Sequence, residues 1–90
     1  MGFSQDFRFK YESHSQVQDF LRTQFDNVAN VDERGDFFVY TSKDGPKFTF
    51  DCMIMPFGIR SDRAGEYFSF LGMFIEALTG EFSTVEVEDV

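Results

Sequence analysis

Tryptophan is absent from this 90-residue chain, cysteine and histidine occur once each, and proline occurs twice. One cysteine, Cys52, excludes an intramolecular disulfide and any cysteine-based zinc cluster. It falls inside a hydrophobic strand pattern, where cysteine behaves as a small apolar side chain, so a reducing, cytoplasmic setting is expected. One histidine, His14, cannot assemble a zinc site of three or four nitrogen or sulfur ligands. It has no neighbouring nucleophile in sequence, and it reads as a solvated residue beside a helix cap. No apolar run approaches the roughly 18 residues of a membrane-spanning helix.

Bases are also scarce. Sixteen acids stand against eight bases, a net charge of −8, and residues 64–90 hold six acids and no base at all. Nucleic acids and anionic membrane surfaces recruit Lys and Arg to neutralise phosphate, so neither is expected as a partner. The acidic final third, with Glu81, Glu86, Glu88 and Asp89, suits either solubility or a basic protein partner.

What the chain has in quantity is phenylalanine, at fourteen residues. A domain this small buries only about 60–65% of its unfolded surface, and large rings stabilise a core too small for many aliphatic residues. The rings fall at two spacings. Around residues 7–11 and 48–54 apolar residues recur every second position, which is strand alternation. Around residues 13–25 and 67–78 they recur at three and four, which is a helical stripe.

The expected elements follow. A strand at residues 7–11 turns Phe7, Phe9 and Tyr11 to one face and Arg8 and Lys10 to the other. A helix begins at Ser13 with an S-x-x-Q capping box, carries Val17, Phe20, Leu21 and Phe25, and ends at Asp26-Asn27. Residues 28–36 read as a charged connection, with room for a short irregular strand start. Strands at 37–41 and 47–55 flank a turn containing Asp44-Gly45 and Pro46, and Pro56 closes the second of them. Residues 58–65 read as a polar loop, a second helix spans about 62–79 with Gly80 at its end, and a last strand lies near 83–90.

The order strand–helix–strand–strand–helix–strand predicts a single α+β domain over residues 1–90. The expected fold is a ferredoxin-like βαββαβ sandwich, a four-stranded antiparallel sheet of order 4-1-3-2 with both helices on one face. In that order the last strand lies beside the first, so Arg8 and Lys10 share a face with Glu86 and Glu88, a favourable cross-strand match.

Fold alone assigns no function, so the chemistry-bearing residues are weighed individually. Asp32-Glu33-Arg34-Gly35-Asp36 lacks the spacing of a calcium loop and reads as a charged turn. Residues 58–65 combine glycine and arginine before a helix but contain no phosphate-loop motif. No nucleophile, acid–base pair or ligand cluster is visible. No catalytic residue, metal site or cofactor is therefore expected, and the chain reads as non-enzymatic.

The second helix stands apart. At about 100° per residue its apolar arc covers roughly 220°, where a surface helix needs little more than 100°. Tyr67, Leu71, Phe74 and Leu78 form the core stripe, with Phe68 and Ile75 on one side and Phe70, Met73 and Ala77 on the other. Excess apolar surface marks interaction sites. The candidate interface is Phe70, Met73 and Ala77, with Glu81, Glu86, Glu88 and Asp89 facing a basic partner. The expected function is a small acidic protein-interaction domain of inhibitor, immunity or adaptor type. The alternative is a ligand-sensing or regulatory ferredoxin-like homodimer.

Overall fold

The computed structural model describes residues 3–45 and 47–90, the side chain of Phe3 excepted, so Pro46 in the expected turn lies outside the described residues. The elements run β1 (Phe3–Arg8), α1 (His14–Thr23), β2 (Ala29–Arg34), β3 (Phe37–Ser42), β4 (Phe48–Met55), β5 (Gly58–Gly65), α2 (Phe68–Phe82) and β6 (Glu86–Asp89). All strand neighbours are antiparallel, in one sheet of order β2-β3-β4-β5-β1-β6.

This corrects the four-stranded ferredoxin-like expectation. The expected neighbours survive at two places, since β6 pairs with β1 and β3 with β4. Two unforeseen strands extend the sheet: β5 separates β1 from β4, and β2 forms an outer edge beyond β3.

Both additions are two-residue hairpins. Arg34 pairs with Phe37 across Gly35-Asp36, where Gly35 takes the left-handed φ of +64°, the conformation that such tight turns require. Met55 pairs with Gly58 across Pro56-Phe57. Gly58 has φ +143°, and a Cβ there would stand 2.2 Å from the Phe7 carbonyl oxygen, so only glycine lets the hairpin return against β1. Pro56 therefore turns the chain without ending the sheet.

One sheet face carries the core. Phe7, Phe38, Tyr40, Phe50, Cys52 and Ile59 are fully buried on it. Phe70 and Phe74 of α2 meet the rings of Phe50 at 5.0 and 4.9 Å. On α1, the Leu21 carbonyl accepts a 2.5 Å hydrogen bond from the Tyr40 hydroxyl. Both helices therefore cover the same side. Burial pushes the Tyr40 hydroxyl and the Cys52 thiol far above their ordinary pKa values, so both stay neutral.

β5 runs its alternation with polar side chains turned inward. Ser61 and Arg63 are buried beside Ile59. The Arg63 guanidinium lies 6.0, 5.6 and 5.1 Å from the ring centres of Phe7, Phe50 and Tyr67 and donates to Gln5 Oε1. The ring faces, electron-rich by quadrupole, supply part of what water would have given the cation. Val87 turns to the same sheet face, opposite Phe7, but remains 45% exposed because β6 is an edge strand.

α2 begins later and ends later than its sequence pattern predicts. Residues 62–65 belong to β5, and Gly65 breaks the path with φ +82°, where a Cβ would stand 2.4 Å from the Lys47 carbonyl oxygen.

Candidate functional site

The open sheet face holds the polar side chains of the central strands. Asp6 is buried at 2% exposure beneath two arginines. Arg60 clamps it with 2.7 and 3.0 Å hydrogen bonds, and Arg8 approaches to 3.9 Å. The Arg60 hydrogen bonds hold its carboxyl below the usual range, against the opposing effect of desolvation. Both guanidiniums lie over the Phe57 ring, at 4.5 Å for Arg8 and 5.7 Å for Arg60. Arg8 stands opposite Glu86 and reaches Glu88 at 3.4 Å, whereas Lys10 lies past the end of β1. Asp51 sits directly across from Asp62; desolvation and the Asp62 charge push its carboxyl above the usual range. This face works mainly as internal charge balance.

The charged turn also disperses into separate pairs. Arg22 of α1 makes two hydrogen bonds to Glu33, at 2.8 and 2.7 Å. Arg34 pairs with Asp32 at 3.0 Å, and His14 Nε2 lies 2.6 Å from Asp36 Oδ1. Sequence reasoning found no carboxylate for His14, because Asp36 reaches it through the unforeseen hairpin. These contacts fasten the α1 start and its last turn to β2 and to the β2–β3 turn. Among the described residues no group of three or more His, Cys, Asp or Glu side chains is placed to hold a metal ion. The expected loop at residues 58–65 is the strand β5, with Arg60 committed to Asp6 and Arg63 buried, so its reading as an anion-holding helix start falls away.

The candidate interface residues separate into three places. Phe70 is 3% exposed and packs among Phe25, Tyr40, Phe48, Phe50 and Phe74, deep in the core. Met73 (42% exposed) and Ala77 line a shallow cleft of about 340 Å³ with Gln24, Phe25, Val28 and Glu76. Glu81 is exposed at the end of α2 and accepts from Gln16 at 3.4 Å. Glu86, Glu88 and Asp89 lie on β6, where Glu88 answers Arg8 and Asp89 accepts from Gln5 at 2.8 Å. The acidic strand is thus not continuous with the Met73 surface.

Two residues missing from that set belong to the helix surface. Phe68, in the first turn of α2, is 73% exposed, and Val28 is 45% exposed. Val28 joins the Met73 cleft to a second one of about 720 Å³ that Phe48, Phe68 and Ser69 also line. Phe68 was legible as excess apolar arc; Val28 was hidden in a segment without periodicity.

Seen down its axis, the outer side of α2 is a flat strip of Ser69, Gly72, Glu76, Thr79 and Gly80, all exposed. Phe68 and Ile75 flank it on one side, Met73 and Ala77 on the other. A Cβ at Gly72 or Gly80 would meet nothing within 4 Å, and neither glycine has a positive φ. The isolated fold needs neither of them, although glycine inside a helix costs about 0.5–1 kcal/mol relative to alanine.

Comparison of the chain with protein-family models, with curated proteins and with solved structures finds no match. No helix among the described residues is long and apolar enough to cross a membrane.

Proposed function

We propose that this chain is a small acidic, non-enzymatic protein-interaction domain, and that the outer side of α2 is its binding surface. The supporting observation is the conjunction on one helix of exposed Phe68 and Met73 with two outward glycines that the fold does not require. A flat strip between apolar flanks lets a partner backbone approach closely, and the flanks supply desolvated anchors.

Charge selects the occupant. α2 carries Glu76 and Glu81 and no base, with Glu66 just before it, while Lys43, Asp44 and Lys47 line the far wall of the Phe68 cleft. A second copy laid on the same helix would bring acid against acid, which costs free energy. A basic amphipathic segment of another protein meets the apolar flanks and the carboxylates together. This favours a heterologous partner over the homodimer. Buried, neutral Cys52 fits a reducing compartment such as the cytoplasm.

The test is selection of 20-residue peptides from a display library against the purified domain. Selected peptides should be amphipathic and rich in Lys or Arg. Their affinity should fall about tenfold or more with Met73→Glu or Gly72→Leu and stay unchanged with Thr49→Glu on the open sheet face. Binding should also weaken between 0.05 and 0.5 M salt, the direction that screening dictates for a charge-assisted complex. Gly72→Ala should stabilise the free domain by about 0.5–1 kcal/mol while weakening the peptide complex. Salt-independent binding that ignores the α2 variants would sink the reading.

A further inference from the structure

A third cleft lies at the opposite end of α2, away from the Met73 surface. Its volume is about 610 Å³, within the range of small-molecule pockets. It opens where β1 leaves the sheet and the α2–β6 connection passes over it. The apolar wall is aromatic: Phe9 and Phe82 stack with ring centres 4.3 Å apart, and the Phe57 ring lies beneath the Arg8 guanidinium. Lys10 stands on the rim and makes no hydrogen bond or ion pair with any described residue. Ser83 and Thr84 contribute hydroxyls that have no partner among the described residues.

The backbone points to the same place. Ser83 has φ +67° and ψ −81° and is the one non-glycine among the described residues with a positive φ. A side chain bearing a Cβ adopts that region only at a cost, and such strain concentrates where a site is built. Here the unusual turn ends α2, carries Ser83 and Thr84 to the cleft, and starts β6.

We propose that this cleft binds a small monocarboxylate with a flat apolar body. The body lies against Phe9, Phe57 and Phe82, and the carboxylate accepts from Lys10, with the Ser83 and Thr84 hydroxyls in reach. The single charge is set by the lining. Arg8 is already answered by Asp6, Glu88 and the facing Glu86, so Lys10 is the one cation of the lining left for a ligand, and it can answer one carboxylate. In a chain of net charge −8 a more highly charged anion would be repelled by everything beyond the cleft. A neutral apolar ligand would gain nothing from Lys10. The proposal is independent of the α2 surface, since this cleft shares no lining residue with either of the two described there.

The probe is 2-naphthoate, titrated into 15N-labelled protein with 2-naphthylmethanol as the uncharged control. Saturable shifts are expected at the amides of Lys10, Phe82, Ser83 and Thr84. Naphthoate should bind about tenfold more weakly to Lys10→Met, and the alcohol about tenfold more weakly to the native chain, the size of one lost charge-assisted contact. Lys10 is exposed, so an unchanged spectrum elsewhere would show that the variant folds. Absence of saturable shifts, shifts confined to other residues, or equal affinity for acid and alcohol would each overturn the proposal.

Discussion

The two helices rest on the same sheet face and are held there in opposite ways. α1 buries a narrow stripe of Val17, Phe20 and Leu21 and is fastened outside it by polar contacts. Ser13 caps its first turn by accepting from the Gln16 amide at 3.2 Å, and Arg22–Glu33 and His14–Asp36 tie it to β2 and its hairpin. α2 has no side-chain cap, no acid in its first turn and no base in its last. It is retained by Phe70, Phe74, Leu78 and Phe82. A helix satisfied at every polar position has little left to offer a partner. One held from beneath, with a single polar tie from Glu81 to Gln16, leaves its outer side unanswered, and the proposed binding surface lies there.

The contrast can be broken most forcefully in the core. Phe74 touches Phe7, Phe25, Phe50 and Phe70 with ring centres 4.9–6.2 Å apart. Phe74→Ala should cost about 3–5 kcal/mol in urea unfolding, the range for a buried ring removed from a packed core. A loss below about 1 kcal/mol would mean that apolar packing does not secure α2.

Ser13→Ala tests the polar side of the contrast. Loss of the cap should destabilise the domain by about 1 kcal/mol, with amide-exchange protection falling first in α1. Unchanged exchange there would show that the cap is ornamental.

The smallest effect is expected from acid. The hydrogen bonds from Arg22 hold the Glu33 carboxyl below its usual range. Its stabilising contribution is therefore complete above the ordinary carboxylate pKa of about 4.3 and is lost as pH falls through the lowered folded value. Between pH 6 and pH 2, α1 should lose exchange protection relative to α2, and Glu33→Gln should remove part of that difference. Parallel loss in both helices would erase the distinction.

The parts of the molecule readable from sequence are those in which local pattern and final environment agree. α1 announced itself through Ser13 and the spacing of Val17, Phe20 and Leu21. β3 and β4 did so through alternating rings around Asp44-Gly45, where Gly45 takes φ +118°. β5 was illegible because Ser61 and Arg63 occupy inward positions, and a strand with a buried arginine looks like a polar loop until the surrounding rings are known. β2 was illegible because it is an edge strand whose Asp32, Glu33 and Arg34 remain exposed. The Gly35-Asp36 dipeptide was the available hairpin signal. For the proposed binding surface, Met73 and Ala77 were legible as excess apolar arc. Phe70 was not separable from them, because a helical wheel shows which direction a ring points and not what covers it.

Sequence by itself determined the two helices, the aromatic core and the acidic character of the final third. These depend on periodicity and charge, which act over a few residues. Tertiary structure alone decided that six strands, not four, share the sheet, that Phe70 is interior while Phe68 is exposed, and that Lys10 and Ser83 meet at one cleft. Each of those outcomes depends on contacts between segments far apart in the chain, and their free energy does not exist until the sheet has closed.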